Sequence, residues 1–586
     1  MHDDRTDSIF VGEMPGGLAV VHPRMIKTSG IHCLPSEILA KVFVHNAPVP
    51  PIWRNVDRYA DTHEPITMSS ISFTMSNILA ITHVCRLWRT IAIGLPRLWD
   101  YVTFGKLDLV EAAIARSAPG CSLLLDFGLT RSFPDDVRQH VSDIIRRTAP
   151  HMESLSLIAQ PPELSQFRQI LQRCELPKLS SLRLGIYGAS TVVDSNDLNI
   201  VAPNLRVFHA DRCFVQWTSP IFRAPLTELY VSHLPSSITT DVHILDCLAS
   251  LPTLVYVSLN HGSSKLGSVF HLNDASLAAE RTVHMPRLEY LYYSGILREC
   301  TFLLDCIVIP LDALVCVDAE AFTAGDDVHE ENWSDDIDHF IHAITTHFGR
   351  RTVAVDEKEM LQVPRILSLK NMGNPLRLDL NRWGLDELCG QTIPSQGLHQ
   401  KQKFGTLFSL NLEFCNEYLI NEFVLAEGQD IVQRICSINP TDFDTFLVGH
   451  HFSMEIEWHW WMTMSKLLPR INTVVLEDRD EANLLPFLLL LRRDAVSGSL
   501  IRPLIPDAPN VFPNLKTLVV ASDNIFRQQS SEVYSGLLRG LCWRGEHVEK
   551  LRLKVRANNV GDDQLAELQG HVKGDVQWTK DVSNAS

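Results

Sequence analysis

The chain has 586 residues, 45% hydrophobic and 21% charged, with 52 basic against 69 acidic side chains and a formal net charge of −17. That balance excludes a disordered chain and is long enough for several domains or one extended repeat array. Basic residues cluster no further than the pairs Arg146–Arg147, Arg350–Arg351 and Arg492–Arg493, which argues against nucleic acid or an anionic membrane as main partner, since phosphate binding rests on clustered cations.

Residues 1–30, with Pro15, Gly16, Gly17 and Pro23, read as a weakly ordered lead-in. The acidic start Met1-His2-Asp3-Asp4-Arg5 lacks the basic start and apolar core of a secretory signal. Compact apolar runs such as Leu484 to Leu491, with Pro486 inside, are too short to span a bilayer. Thirteen cysteines, an odd number without a CxxC pair, point to buried thiols in a reduced interior, cytoplasmic and/or nuclear. The triplets Asn332-Trp333-Ser334 and Asn584-Ala585-Ser586 match the glycosylation pattern by chance on this reading.

The stretch from Leu34 to Trp99 is the most informative. Leu34, Ile38 and Val42 fall four residues apart, with Leu39 and Phe43 beside them, so a helix carries a broad apolar stripe. Pro35 suits the first turn, and Glu37 lies where the helix dipole favours an anion. A polar, proline-containing insert covers 44–77. Then Ile81, Val84, Cys85, Trp88, Ile91 and Leu95 repeat at threes and fours, predicting a second helical piece that closes on Leu95-Pro96-Arg97-Leu98-Trp99. Two helices this apolar cannot bury their stripes on each other alone.

Leu34-Pro35-x-Glu37-Ile38-Leu39-x-x-Val42-Phe43, followed by Val84-Cys85-Arg86-x-Trp88-Arg89-x-Ile91-Ala92 and Pro96-x-Leu98-Trp99, resembles an F-box of the kind found in fungal F-box-like proteins. Its departure is the long insert. The resemblance implies docking on a SKP-type adaptor, and through it a cullin, with Leu34, Pro35, Ile38, Leu39, Phe43, Val84, Trp88, Ile91, Leu95 and Trp99 at the adaptor interface or its support.

Lys106–Arg116 then predicts a helix, Cys121–Phe127 a buried strand and Asp135–Ala149 an amphipathic helix. From there a phrase recurs: Pro, then apolar residues at offsets two, five and seven. It appears at Pro150, Pro177, Pro203, Pro252 and Pro286, in shortened form at Pro225, and again around Leu407, Ile471, Leu515 and Val548. The early prolines stand 27, 26, 22, 27 and 34 residues apart. This spacing is similar to leucine-rich repeats, one short strand per unit and a return segment, with helical returns expected at Glu163–Cys174, Thr240–Ser250, Ser334–Phe348 and Ser531–Trp543. The register is poor between Pro310 and Gly405. Asp318 to Asp338 holds nine acids and no Lys or Arg, a solvated loop on this reading.

The expected fold class is therefore α/β: a small all-α module (31–104), linker helices and a first strand (105–148), an irregular leucine-rich-repeat solenoid of parallel strands with helical returns (149–556), and a polar tail (557–586) that caps or frays.

No Gly-rich phosphate loop, zinc-protease motif, nucleophile elbow or paired zinc-finger spacing occurs. His450, His451, Glu455, Glu457 and His459 form the one tempting metal-like cluster, but Trp460 and Trp461 beside them suit a packing helix better. Cys300 and Cys306 flank an apolar, strand-like run as core thiols. No catalytic, metal or cofactor residues are expected. What remains is a surface. Between the inward apolar positions the repeats place Ser156, Arg183, His209, Tyr230, Ser258, Tyr292, Asn411, Val475, Val519 and Arg552, with Tyr256 and Tyr290 one offset earlier. Tyrosine and arginine dominate binding hot spots, so Arg183, His209, Tyr230, Tyr256, Tyr290, Tyr292, Asn411 and Arg552 are the candidate contacts to a protein target. The resemblance implies the substrate receptor of an SCF-type cullin-RING ubiquitin ligase. The alternative is a non-degradative leucine-rich-repeat scaffold.

Overall fold

A computed structural model of the protein describes residues 34–45, 78–103, 107–117, 122–129, 134–186, 199–213, 215–232, 241–260, 282–310, 313–320, 338–344, 346, 366–371, 376–381, 406–413, 443–448, 458–477, 487, 512–521, 532–544, 548–556 and 562–581. The lead-in, most of the insert, acidic residues 321–337 and the histidines His450 and His451 with Glu455 and Glu457 lie outside the described residues.

The architecture is mixed α/β, built on one 17-stranded sheet. Its first strands are β1 (Tyr101–Thr103), β2 (Leu123–Leu129), β3 (Met152–Ala159), β4 (Ser181–Ile186), β5 (Val207–Asp211), β6 (Glu228–Ser232) and β7 (Tyr256–Asn260). Each pairs in parallel with the one before it. After the short β8 (Val283–His284) come β9 (Tyr290–Ile296), β10 (Ile307–Val308), which pairs with β8, and β11 (Leu314–Glu320). β9 and β11 continue the parallel order.

Next follow β12 (Ile366–Asn371), β13 (Leu376–Asn381) and β14 (Thr406–Glu413). Here the order inverts: β14 lies beside β11, β13 is antiparallel to both β14 and β12, and β12 adjoins β15 (Thr445–Val448). Parallel pairing then resumes through β16 (Thr473–Glu477), β17 (Thr517–Ala521), β18 (Lys550–Arg556) and β19 (Asp575–Asp581).

The proline phrase has a local cause. In Leu176-Pro177-Lys178-Leu179 the Leu179 amide donates to the Leu176 carbonyl, closing a turn with proline at its second position, where the fixed φ suits it. The same bond recurs from Leu205 to Ala202, Leu254 to Leu251, Leu288 to Met285, Ile471 to Leu468 and Leu515 to Phe512, at 3.0–3.3 Å. Neighbouring units are tied by one carbonyl accepting two successive amides: Ser180 from Arg206 and Val207, Thr227 from Val255 and Tyr256, Asn472 from Lys516 and Thr517. Side chains add to this, Asn204 Nδ2 donating to the Pro177 carbonyl at 2.6 Å and Asn514 Nδ2 to that of Pro469 at 2.8 Å.

Helices cover one side of the sheet. Those over Asp135–Thr148, Pro161–Leu171, Asp241–Ala249, Leu297–Cys306, Trp458–Leu467, Glu532–Arg544 and Asp562–His571 bury apolar residues against the inward strand positions. The core is one continuous cluster from Leu39 to Val572, so the N-terminal helices share it with the sheet. Expected helical returns and observed helices differ at their ends by a residue or a few.

Three expectations need correction. The second helical piece of the N-terminal module is two helices, 78–84 and Arg86–Ile93, broken at Cys85, which is extended and whose Sγ accepts from the Trp88 amide. Cys300 and Cys306 belong to a helix, Leu297–Cys306, not to a strand-like run. The acidic stretch begins inside a strand, since Asp318 and Glu320 lie in β11. Of the tail, expected to cap or fray, residues 562–581 form a helix and β19, which pairs with β18. Among the described residues no helix is long and apolar enough to cross a membrane.

Candidate protein-interaction surfaces

The N-terminal helix, Ser36–His45, starts directly after Pro35, whose carbonyl accepts from the Ile38 and Leu39 amides at 3.0 and 3.1 Å. Its apolar stripe splits into two lines. Leu39 and Phe43 point inward and are almost fully buried, and the Phe43 ring meets Trp88 edge-on with centroids 4.9 Å apart. Leu34, Ile38 and Val42, one position earlier at each step, stay between 38% and 42% exposed.

The other half of the module repeats the division. Arg89 Nε donates to the Thr82 carbonyl at 2.8 Å and bridges the break at Cys85. Trp88, Ile91 and Leu95 are half-buried against the core, and Trp99 is buried, its Nε1 donating to the Ala92 carbonyl at 3.0 Å while Arg116 stacks over its ring. Val84, Leu87 and Ile93 remain exposed, Val84 at 55%.

Of the seven large exposed hydrophobics among the described residues, six belong to this module, the other being Val201. The ten residues marked from sequence therefore sort by role. Leu34, Pro35, Ile38 and Val84 are at the surface. Leu39, Phe43 and Trp99 support them from inside, while Trp88, Ile91 and Leu95 sit between. Val42, Leu87 and Ile93 are absent from the sequence-based set. Val42 had a signal, four residues beyond Ile38. Leu87 and Ile93 had none, because they depend on how the second half is broken.

On the sheet face away from the core, register lines up Asp126, Ser156, Arg183, His209, Tyr230, Ser258, Tyr292 and Cys316 across β2 to β11. These positions share one side, as expected, but their middle is deeply buried. Arg183, His209, Tyr230, Tyr256 and Tyr290 are each no more than 5% exposed, so they hold the face together rather than offering free anchors. The rings form a stacked column, His209 on Tyr230, Tyr230 on Tyr256 and Tyr256 on Tyr290, at 5.5, 4.6 and 4.3 Å. Such pairs add about 0.5–1.5 kcal/mol beyond area burial.

At the other end of the row lies a charged group. Burial pulls the Arg183 guanidinium below its usual range, and the charges of Asp211 and Asp126 oppose that. Burial raises the Asp126 carboxyl despite bonds from Ser156 and Tyr101 and the Arg183 charge. His209 is brought down to about 3 by burial and then by Arg183, Asp211 opposing, so it is neutral at physiological pH. Sequence reasoning missed Asp126 and Asp211, since their electrostatic link to Arg183 crosses strands.

The accessible part of the face is its rim. Tyr292 is half-buried and donates to Asp318 Oδ2 at 3.3 Å, Tyr230 to Glu228 Oε2 at 3.2 Å, and Ser232 to Asp211 Oδ1 at 2.8 Å. Asn411 lies in β14 opposite Asp318 and Arg377. Val475 and Val519 are buried with Leu447, whereas Arg552 on β18 is half-buried.

Cys300 is fully buried, and burial followed by the Glu299 charge holds its thiol well above the ordinary range. His459 lies on the helix Trp458–Leu467, and the other residues of the histidine cluster lie outside the described residues. Among the described residues no group of three or more His, Cys, Asp or Glu could hold a metal ion. No protein-family model matches the chain, and no curated protein matches it.

Proposed function

We propose that the protein is the substrate-recognition subunit of an SCF-type cullin-RING ubiquitin ligase. In this reading an F-box-like helical module docks a SKP-type adaptor, and a leucine-rich-repeat-like solenoid holds a protein target. The observation that supports it is that, among the described residues, six of the seven large exposed apolar side chains crowd into the one module whose motif resembles an F-box. An exposed apolar cluster of this kind marks an interaction site. The tight fusion of that module to the sheet through Leu98 and Trp99 suits a rigid bracket between adaptor and target.

The chain supplies no bond-making residue in this scheme. Holding a target lysine beside a ubiquitin-charged conjugating enzyme raises its effective concentration, and other subunits do the chemistry. Pull-down with a purified SKP-type adaptor and cullin tests the reading. Recovery of both supports it, adaptor without cullin points to a non-degradative scaffold, and neither refutes it.

A further inference from the structure

The helix Asp562–His571 runs into β19 through Val572-Lys573-Gly574. Leu568 and Val572 are buried in the core, which fixes the helix beside the strand that follows it. The Lys573 and Asp575 amides donate to the Val548 and Glu549 carbonyls at 3.2 and 3.1 Å, so the link lies against the start of β18. Glycine is needed in that link, because a Cβ on Gly574 would collide with the Glu549 carbonyl oxygen. On this short tether the exposed Gln569 reaches the strand. Its Nε2 donates to the Gly574 carbonyl at 2.7 Å, and its Oε1 accepts from the Val576 amide at 3.1 Å.

Backbone direction says what these two bonds replace. Asp575 turns its amide toward β18, so Gly574 and Val576, on either side of it, turn their backbone groups the other way. In a parallel ladder a residue of the next strand, opposite Asp575, would donate its amide to the Gly574 carbonyl and accept the Val576 amide at its own carbonyl. The Gln569 side-chain amide makes that same pair of bonds. Among the described residues β19 pairs with β18 alone, and an open strand edge is a template for another chain.

We infer that Gln569 is an edge cap, which keeps β19 from pairing with β19 of a second copy of the chain. The backbone groups of Trp578 and Lys580 point the same way as those of Val576, and two such edges set antiparallel about a two-fold axis match each other. The copy's β1 cannot be the partner, because its residues Tyr101, Val102 and Thr103 are no more than 6% exposed. Asp575 and Gln577 of β19, by contrast, are exposed. A strand of the copy bonds to Val576 only after the Gln569 amide has left it.

Sedimentation velocity of the full chain over a concentration series, parent beside Gln569→Ala, tests the cap. Alanine suits an exposed helical position, so the variant should melt as the parent does. It should associate at concentrations about tenfold or more below those the parent needs, since a symmetric pair is relieved of two caps. Adding Val576→Pro removes the outward amide, a change an edge strand tolerates, and should restore the parent's sedimentation. Hydrogen exchange read at single residues, at concentrations where both chains are monomeric, gives a second measurement. In the parent the Val576 amide should exchange as slowly as that of Asp575, and Gln569→Ala should speed the first by about fivefold and leave the second unchanged. A variant that sediments as the parent does throughout, association that survives Val576→Pro, or a Val576 amide indifferent to Gln569→Ala would overturn the inference. No adaptor or target takes part, so the outcome is independent of the ligase reading.

Discussion

Replacing Leu34, Ile38 and Val42 together by alanine separates adaptor binding from folding. Each side chain is about two-fifths exposed. Complete burial of such a side chain contributes roughly 2 kcal/mol, so covering what remains yields roughly 0.8 kcal/mol apiece. Allowing for the methyl group each alanine keeps, the three contribute about 2 kcal/mol to the complex, or about thirtyfold in Kd. Calorimetric titration with a purified SKP-type adaptor measures this, beside a thermal melt of each variant. Phe43→Ala is the contrasting change: the ring is 2% exposed and packs on Trp88, so its loss costs about 3–5 kcal/mol of folding stability. A triple variant that melts normally and binds within about twofold of the parent would refute the assignment of this face.

Other consequences follow from the sheet and its core. His209 is neutral when folded, with its pKa near 3, but protonates in the unfolded chain near 6.5. Between those values the unfolded state binds more protons, so stability falls as pH drops, by about 2 kcal/mol at pH 5. His209→Phe keeps a ring against Tyr230 and removes that loss. Urea midpoints of the parent should therefore fall further between pH 7 and 5 than those of the variant, and equal falls would contradict the assignment. Tyr256 lies between two stacked rings and is 5% exposed; Tyr256→Ala should cost about 3–5 kcal/mol, and an unchanged melting temperature would exclude the column as a stabilising element. Trp99→Phe loses the bond to the Ala92 carbonyl, which keeps its bond from the Leu95 amide, and should cost about 0.5–1.5 kcal/mol by thermal melt. In iodoacetamide labelling, half-buried Cys85 and Cys174 should react before the buried Cys213, Cys247, Cys300, Cys306 and Cys316; early labelling of Cys300 would contradict its place in the core.

Much of the strand pattern was legible because one local rule generates it. The apolar residue two after the proline closes the turn, and the next two face the core, so the spacing of two, five and seven marks β3, β4, β5, β7, β9, β16 and β17. Alternation also assigned Arg183, His209 and Tyr230 to the correct side of the sheet. It did not say how deeply they are buried, because alternation fixes a side and not a depth. The inverted order of β12, β13 and β14 was illegible for a related reason: Ile366–Asn371 and Leu376–Asn381 alternate the same way whichever direction their neighbours run. The break at Cys85 leaves the threes-and-fours spacing almost intact, so periodicity alone passes across it. On the N-terminal helix, one stripe held both an inward and an outward line, and only the packing of Phe43 on Trp88 separates them.

Hydrogen–deuterium exchange on the full chain, alone and mixed with a SKP-type adaptor, measures the central claim most directly. A stoichiometric complex should slow exchange across Ser36–His45 and Arg86–Ile93, the helices that carry Ile38, Val42, Leu87 and Ile93. Failure to form a complex, or one whose protection falls on the sheet and leaves both helices exchanging as before, would contradict it.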